Sequence, residues 1–147
     1  MKSICAKLVR GMANKVEFHD YTVQVKAEMD NRINAALEEC AGEVISQTKR
    51  NSRVDTGKTK NSFRHKVDDE AHVAYMGSDD ENAIWEEFGT GEYALKGNGR
   101  KGGWFYVDAK GDGHFTYGKK PSRAFWKAFT SLKNKLIKRI EEFIRGL

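Results

Sequence analysis

Apolar residues recur every three or four positions along two long stretches, which is the spacing of one helix face. The first stretch runs from about Thr22 to Arg50 and predicts an amphipathic helix of roughly seven turns. Its start is open, because residues 21–25 also alternate as a strand would. The second stretch follows Pro121, with Ser122 as the expected N-cap and Gly146 where the helix should stop.

Between these helices the apolar positions alternate, which is typical of strands. Residues 63–67 and 73–77 flank an acidic tip and predict a β-hairpin. Placing Val67 opposite Val73 puts His65 opposite Tyr75, with His72 on the other face. Residues 104–108 and 114–117 flank a glycine-containing turn and predict a second hairpin. Residues 82–88 are expected to form a short helical turn.

These elements predict one α+β domain over residues 1–147, with a long N-terminal helix, a small antiparallel sheet built from hairpins, and a C-terminal amphipathic helix. Both helices are expected to pack on the sheet. Residues 1–20 carry little pattern and are compatible with an extended N-terminal arm. No apolar run approaches the ~20 residues that span a bilayer, and the early charges do not suit a signal peptide. Two cysteines, of which Cys40 is expected to be a buried thiol, favour a reducing cytoplasm.

The net charge of +5 is distributed unevenly along the chain. Residues 119–147 hold nine Lys or Arg and two Glu, whereas residues 79–92, the acidic segment, hold six carboxylates and no Lys or Arg. Contacts that run head-to-tail between copies use two different patches, so patches of opposite charge suit them. If copies of the chain assemble in this way, charge reversal at Glu86 and Glu87 is expected to weaken assembly. An unchanged oligomer size would mean that the acidic segment is only a solvated face.

Motifs for catalysis, metal binding and cofactor binding are weak. The four histidines have no metal-ligand spacing, and the adjacent Glu86 and Glu87 point apart rather than forming a catalytic pair. Residues 97–102 fit G-x-G-x-x-G, but strand-like aromatics follow where a dinucleotide site needs a helix. The chain is expected not to be an enzyme, with no catalytic, cofactor-binding or metal-binding residues.

Three motifs occur in a fixed order: Val54-Asp55-Thr56-Gly57 after the long helix, Trp85-Glu86-Glu87-Phe88-Gly89-Thr90, and Pro121-Ser122-Arg123-Ala124-Phe125 opening the last helix. Together they resemble the tail-component or neck family of long-tailed bacteriophages, over roughly residues 25–135. The resemblance implies a structural protein of the virion neck or tail, assembled in the host cytoplasm as a homo-oligomeric ring. It also implies contacts with neighbouring head-closure, tail-terminator or tail-tube proteins. The residues expected to make subunit or partner contacts are Asp55, Thr56, Gly57, Trp85, Glu86, Glu87, Phe88, Gly89, Thr90, Trp104 and Tyr106.

The basic end of the chain supports an alternative interpretation as a nucleic-acid-binding module. Lys and Arg side chains of the last helix could follow a phosphate backbone, with nearby aromatics for stacking. They could equally solvate the outer face of an amphipathic helix, or line a ring through which DNA passes. The candidate DNA-facing residues are Arg123, Lys127, Lys135, Lys138 and Arg139.

Overall fold

The computed structural model describes residues 17–146 and places helices and strands in an α+β arrangement. Their bounds, in chain order, are α1 Thr22–Asn51, α2 Lys58–Ser62, β1 Phe63–Asp68, β2 Val73–Ser78, α3 Asn82–Phe88, β3 Trp104–Val107, β4 Gly113–Thr116 and α4 Ala124–Arg145. A 3-10 turn over Gly91–Tyr93 follows α3. The predicted fold class is confirmed. Most of the expected N-terminal arm, residues 1–16, lies outside the described residues.

The core lies between α1 and α4, which run antiparallel. At one end the Arg32 guanidinium donates to the carbonyl oxygen of Gly146 at 3.1 Å, and at the other Asn51 donates to the carbonyl of Ala124 at 3.3 Å. Between these ends Cys40 and Val44 pack against Leu136. Small buried residues on both helices, among them Ala36, Ala124 and Ala128, leave room for the two helix backbones to lie close together. The apolar stripes read from the sequence therefore face each other.

The first hairpin, β1 and β2, packs on α1 rather than between the two long helices. Met76 contacts both core clusters, one around Val44 and Leu136 and the other formed by Ile45, Phe63 and Ala83. The expectation that both long helices pack on a sheet is thus wrong for α4, which packs mainly on α1. The second hairpin, β3 and β4, forms a separate two-stranded sheet.

The predicted register of the first hairpin is off by one residue. Val67 lies opposite Ala74, and His65 lies opposite Met76 rather than Tyr75. A shift of one residue turns a strand over, so Ala74 and Met76 face α1 and Tyr75 faces outward. The two histidines of this hairpin both reach α1: His65 Nε2 lies 2.8 Å from a carboxylate oxygen of Glu38, and His72 Nδ1 lies 2.8 Å from the amide oxygen of Asn34. They do not lie on opposite faces as the predicted register required.

The start of α4 also differs from the expectation. The helix begins at Ala124, and the residue before it, Arg123, adopts a left-handed backbone with φ 54°. Ser122 is therefore not the N-cap. Ser122 is buried and its N–H donates to the carbonyl of Glu86 at 2.7 Å, so it joins the segment before the helix to α3. The backbone N–H groups at the start of α4 donate instead to a side chain from another element of the fold.

Candidate functional site

The short helix α3 lies at the centre of the surface on which the predicted contact residues come together. It starts where Asp80 is held by three polar groups. The hydroxyl of Thr59 donates to Asp80 Oδ2 at 2.5 Å, the N–H of Asn82 donates to Oδ1 at 3.4 Å, and Lys58 Nζ lies 3.6 Å from Oδ1. The hydrogen bond from Thr59, helped by the other two groups, lowers the pKa of Asp80. These contacts attach α3 to α2.

Glu87, in the last turn of α3, caps α4. Its carboxylate accepts hydrogen bonds from the N–H of Phe125 at 3.0 Å and the N–H of Trp126 at 2.9 Å. The first N–H groups of a helix have no partner within the helix, and a carboxylate there also interacts favourably with the helix dipole. Glu87 does for α4 what the sequence assigned to Ser122. Glu87 could contact a partner through its carboxylate, as the sequence predicted, only by giving up these two hydrogen bonds.

Gly89 and Gly91 bring the chain after α3 into backbone contact with the chain before α4. Thr90 donates to the carbonyl of Lys119 and Glu92 donates to the carbonyl of Tyr117, both at 2.9 Å. Gly89 has φ 74°, and a Cβ there would lie 2.8 Å from the carbonyl oxygen of Lys119. Glycine is needed for both reasons, because a side chain would strain the backbone and displace its neighbour. The Phe88-Gly89-Thr90-Gly91 run is thus a close crossing of two chain segments.

On one side of α3 a polar cleft of about 520 Å³ collects two of the sequence motifs. Asp55, Thr56 and Gly57, the last with φ 80°, face Trp85 and Glu86 across it. Glu86 forms an ion pair with Lys119, and its Oε2 is buried without a hydrogen-bond partner among residues 17–146. The aromatic side chain of Trp85 stays 54% exposed at the edge of the cleft. The motifs that are about 30 residues apart in sequence therefore form one surface.

On the other side of α3 lies an apolar groove of about 550 Å³. We call it the α3 groove and define its apolar lining by Phe63, Met76, Ile84, Phe88, Leu95 and Trp126. Ile84 and Trp126 are each more than half exposed. Asp79, Asp80 and Glu81 stand along one margin of the groove. Ile84, Phe88 and Leu95 also line a neighbouring depression that reaches Trp85 and Trp104, so the exposed apolar surface continues around α3.

Trp104 and Tyr106 lie on β3, in the second hairpin. Trp104 is half-buried over Gly91, where a Cβ would be 2.8 Å from its ring, and the Arg100 guanidinium lies 5.6 Å from the ring centroid on its face. Tyr106 lies opposite His114 with ring centroids 5.4 Å apart and is 46% exposed. Trp104 thus anchors the hairpin to the chain after α3, whereas Tyr106 belongs to its outer part.

The acidic segment is mostly engaged within the chain. Asp79 pairs with Arg64 at 3.2 Å, and a carboxylate oxygen of Glu92 accepts from the N–H of Gly102 at 3.1 Å. Asp80, Glu86 and Glu87 are also engaged within the chain. Within residues 17–146, the Glu81 side chain makes neither an ion pair nor a hydrogen bond. Charge reversal at Glu86 and Glu87 would therefore disturb folding before it tested assembly.

The candidate DNA-facing residues do not form one free basic face. Lys135 Nζ lies 2.6 Å from an oxygen of Glu43, and Arg139 pairs with Glu39 at 2.9 Å and with Glu43 at 3.0 Å. The hydrogen bond from Lys135, with the charges of Lys135 and Arg139, lowers the pKa of Glu43. Arg123 lies over the Trp126 ring at 5.2 Å, while Lys127 and Lys138 are exposed. Two of the five basic side chains thus hold α4 against α1.

Groups that could support metal or cofactor chemistry are not assembled in the described residues. Within residues 17–146 no three His, Cys, Asp or Glu side chains are placed to hold a metal ion. The glycine-rich residues 97–102 lead into β3, so the helix that a dinucleotide phosphate needs does not follow them. Between residues 17 and 146, none of the helices combines the length and the apolar character needed to cross a bilayer.

Sequence reasoning missed three residues of the exposed apolar surface, namely Ile84, Leu95 and Trp126. Ile84 and Trp126 flank the motifs, and the spacing of Trp126 puts it in the apolar stripe of the last helix. The apolar stripe of α4 contains more large residues than one packed helix can cover. That excess is the signal that could have identified Trp126 as exposed. No family model, no curated protein and no solved structure matches the chain. The resemblance to the phage family therefore rests on the ordered motifs alone.

Proposed function

We propose that the protein is a structural component of a tailed phage or prophage and acts without catalysis, as one copy of an oligomeric ring at the head–tail junction. The observation that carries this proposal is the exposed apolar surface around α3. Ile84, Trp85 and Phe88 are 59%, 54% and 47% exposed, and Leu95 and Trp126 extend the surface on either side. Contiguous apolar surface of this kind on a monomer usually marks a protein–protein contact.

The small core supports the same proposal. The largest side chains that are almost completely buried are those of Val44 and Thr48, and most aromatic residues between 17 and 146 keep contact with solvent. A single chain of this size normally buries more of its apolar surface. Additional copies, or neighbouring head-closure, tail-terminator or tail-tube proteins, would cover the remainder.

The three sequence motifs act as a frame for this surface. Glu87 joins α3 to α4, the crossing at Gly89 joins α3 to the segment before Pro121, and Asp55 to Gly57 form the opposite wall of the polar cleft. These are positioning roles, which suits a protein whose surface must match a partner in a fixed orientation. They give a physical reason for the motifs to occur together.

The nucleic-acid-binding alternative has less support. Lys135 and Arg139 are engaged with Glu39 and Glu43, so a phosphate backbone would have to compete with these ion pairs. Lys127 and Lys138 remain as exposed cations on α4 and would suit weak contact with DNA passing through a ring. Binding of duplex DNA at low salt, with a steep loss of affinity on adding salt, would favour the alternative.

The proposal is tested by electron microscopy of lysates from the phage or prophage with this gene deleted. A joining role predicts filled heads beside separate tails, and intact virions when the wild-type gene is supplied. Ile84→Arg, which places a charge on the apolar surface, should fail to restore virions. Tyr75→Thr is the matched control, because Tyr75 is 60% exposed on the outward face of β2 and should be dispensable. Normal virions in the deletion lysate would overturn the proposed function.

A further inference from the structure

A depression beside the glycine-rich loop brings cations and aromatic rings together. We call it the loop depression; it lies between α3 and residues 94–100 and has a volume of about 530 Å³. Its walls carry three aromatic side chains, two cations and one amide, namely Trp85, Phe88, Trp104, Lys96, Arg100 and Asn98. Sites for organic ligands usually have volumes of roughly 300–1,000 Å³. The loop depression is therefore large enough to receive a flat ring together with its polar substituents.

Each cation of the loop depression lies over an aromatic ring. Lys96 Nζ is 6.0 Å from the centre of the Phe88 ring, and the guanidinium carbon of Arg100 is 5.6 Å from the centre of the Trp104 ring. Both cations are exposed. Among residues 17–146, neither of them lies within 4.0 Å of a carboxylate oxygen. Their charges are therefore available to an anion, unlike those of the two cations of α4 that pair with α1.

Carboxylates are kept away from the loop depression. Within the described part of the chain, residues 17–146, its lining holds no Asp or Glu, and residues 93–107 contain none. The carboxylates of α3 are engaged elsewhere, since Glu86 pairs with a lysine of the segment before α4 and Glu87 caps α4. The Glu92 carboxylate accepts a hydrogen bond from the N–H of Gly102. The local charge of the depression is thus positive, in contrast to the acidic margin of the α3 groove.

The loop depression also offers surfaces on which a flat ring can stack. Trp85 and Phe88 lie three residues apart on α3 and are 54% and 47% exposed. Arg100 presents a planar guanidinium in front of Trp104, and nucleic-acid bases stack on such planes as well as on aromatic rings. A nucleotide carries a base and a phosphate on one unit, so it can use the rings and the cations together. A carboxylate side chain of a protein partner would neutralise the cations and leave the rings uncovered.

We propose that the loop depression binds a nucleotide unit of single-stranded nucleic acid, with the base stacked on Trp85 and Phe88. The phosphates on either side of that base lie against Lys96 and Arg100. The ligand is a single strand, because a base inside a duplex is stacked between its neighbours and does not present its face. This site is separate from the basic residues of α4 and does not depend on the proposed ring. Since Trp85 and Phe88 also belong to the surface proposed for protein contact, a bound strand and a protein partner compete for them.

Fluorescence anisotropy with a labelled oligothymidine of about 12 nucleotides tests the cations of the site. The site variant carries Lys96→Ala and Arg100→Ala. Each phosphate contact to a single strand contributes about 0.7 to the slope of log affinity against log salt, so the site variant should reduce that slope by about 1.4. The matched control carries Lys127→Ala and Lys138→Ala, which remove two exposed cations of α4, and its slope should equal that of the wild type. Thermal unfolding checks that both variants remain folded.

A second pair of variants tests stacking without a change of charge. Trp85→Ala should weaken binding of the oligothymidine by roughly tenfold and leave the salt slope unchanged, because it removes a ring and no cation. Trp126→Ala is the matched control: Trp126 is 52% exposed, close to the value for Trp85, but lies outside the loop depression, and its loss should change the affinity by less than about twofold. In ¹⁵N-labelled protein, amide signals of residues 94–100 should shift as the oligothymidine is added.

Three competitors identify the ligand. Polyglutamate supplies charge without bases, and equally tight binding of it would make an acidic protein segment the occupant and overturn the proposal. Thymidine monophosphate should bind at least about tenfold more weakly than the strand, because it brings one phosphate instead of several; equal affinity would make a free nucleotide the ligand. Duplex DNA should compete less well than the single strand, and the reverse order would overturn the proposal.

The variants decide where binding takes place. No binding of the oligothymidine at low salt, an unchanged salt slope in the site variant, or a loss of slope in the α4 control would each overturn the assignment to the loop depression. All of these measurements use the isolated protein, so the result for deletion lysates, whether unjoined heads and tails or normal virions, leaves this inference unchanged.

Discussion

The cap that Glu87 provides for α4 gives the most direct prediction. Substitution Glu87→Ala removes a carboxylate that accepts two backbone hydrogen bonds, at 3.0 and 2.9 Å, from the N–H groups of Phe125 and Trp126. Hydrogen bonds to charged groups contribute about 1.5–3 kcal/mol, and loss of an N-cap costs about 0.5–2 kcal/mol. The two descriptions concern the same bonds and are not added. We expect a loss of about 2 kcal/mol in the free energy of unfolding.

The measurement is urea unfolding followed by circular dichroism, with thermal unfolding beside it. For a chain of this size a loss of about 2 kcal/mol corresponds to a drop in Tm of roughly 6–8 °C. Glu81→Ala is the matched control, because it removes an exposed carboxylate near the start of α3, and it should change stability by less than about 0.5 kcal/mol. Ser122→Ala should also cost less than Glu87→Ala, because the structure gives Ser122 no capping role.

Glu87→Gln separates the two parts of the effect. The amide keeps one acceptor oxygen and the side-chain length but loses the second acceptor and the charge, so a loss of about 1 kcal/mol is expected. If Glu87→Ala were as stable as Glu81→Ala, the cap would contribute nothing and the reasoning would be refuted. Such a result would return Glu87 to the set of free surface carboxylates, where charge reversal could test assembly as the sequence suggested.

Three further predictions concern other parts of the fold. Gly89→Ala should destabilise the protein by at least about 2 kcal/mol in urea unfolding, because a Cβ at φ 74° would lie 2.8 Å from the Lys119 carbonyl; Gly97→Ala, with φ 69° but open space, should cost less. Asp80→Asn should lower stability at pH 7. Since the folded pKa of Asp80 lies below its ordinary value, that difference should be present above about pH 4 and disappear as pH falls through the folded pKa; a difference that does not shrink as the pH falls below that point would contradict it. Burial shields the Cys40 thiol and raises its pKa, so in Cys5→Ser protein at pH 8 it should react with a thiol reagent only as fast as the protein opens. The same variant unfolded in urea is the reference, and equally fast labelling of the folded variant would refute the burial of Cys40.

The elements themselves were predictable because the signals for them are local. The apolar spacing predicted α1 and α4 to within a residue or two, and alternation around turn residues predicted both hairpins. Gly146 follows the last residue of α4, as expected. That Asp55 to Gly57 share a cleft with Trp85 and Glu86 was not predicted, since the sequence indicated these residues only as separate contact segments.

Relations between elements were not predictable in the same way. The register of the first hairpin depends on which strand face packs against α1, and a shift of one residue keeps the alternation in the sequence unchanged. The partner of each charged residue is equally non-local: Lys135 and Arg139 meet carboxylates of α1 about 95 positions away, and Glu87 bonds N–H groups 38 and 39 positions away. From composition alone these residues would be expected to extend into solvent. In the folded chain they bind other groups of the same chain.

The α+β fold with two long amphipathic helices and two hairpins could be predicted from the sequence alone. Backbone hydrogen bonding and side-chain periodicity act over a few residues, so their signals are local. Tertiary structure decided which apolar residues the chain itself covers. The facing stripes of α1 and α4 cover one another, while the outer side chains of α3 and of the second hairpin find no covering element within residues 17–146. That difference comes from packing geometry, since a side chain is buried only where another element lies against it. The exposed surface around α3 and the second hairpin is the result.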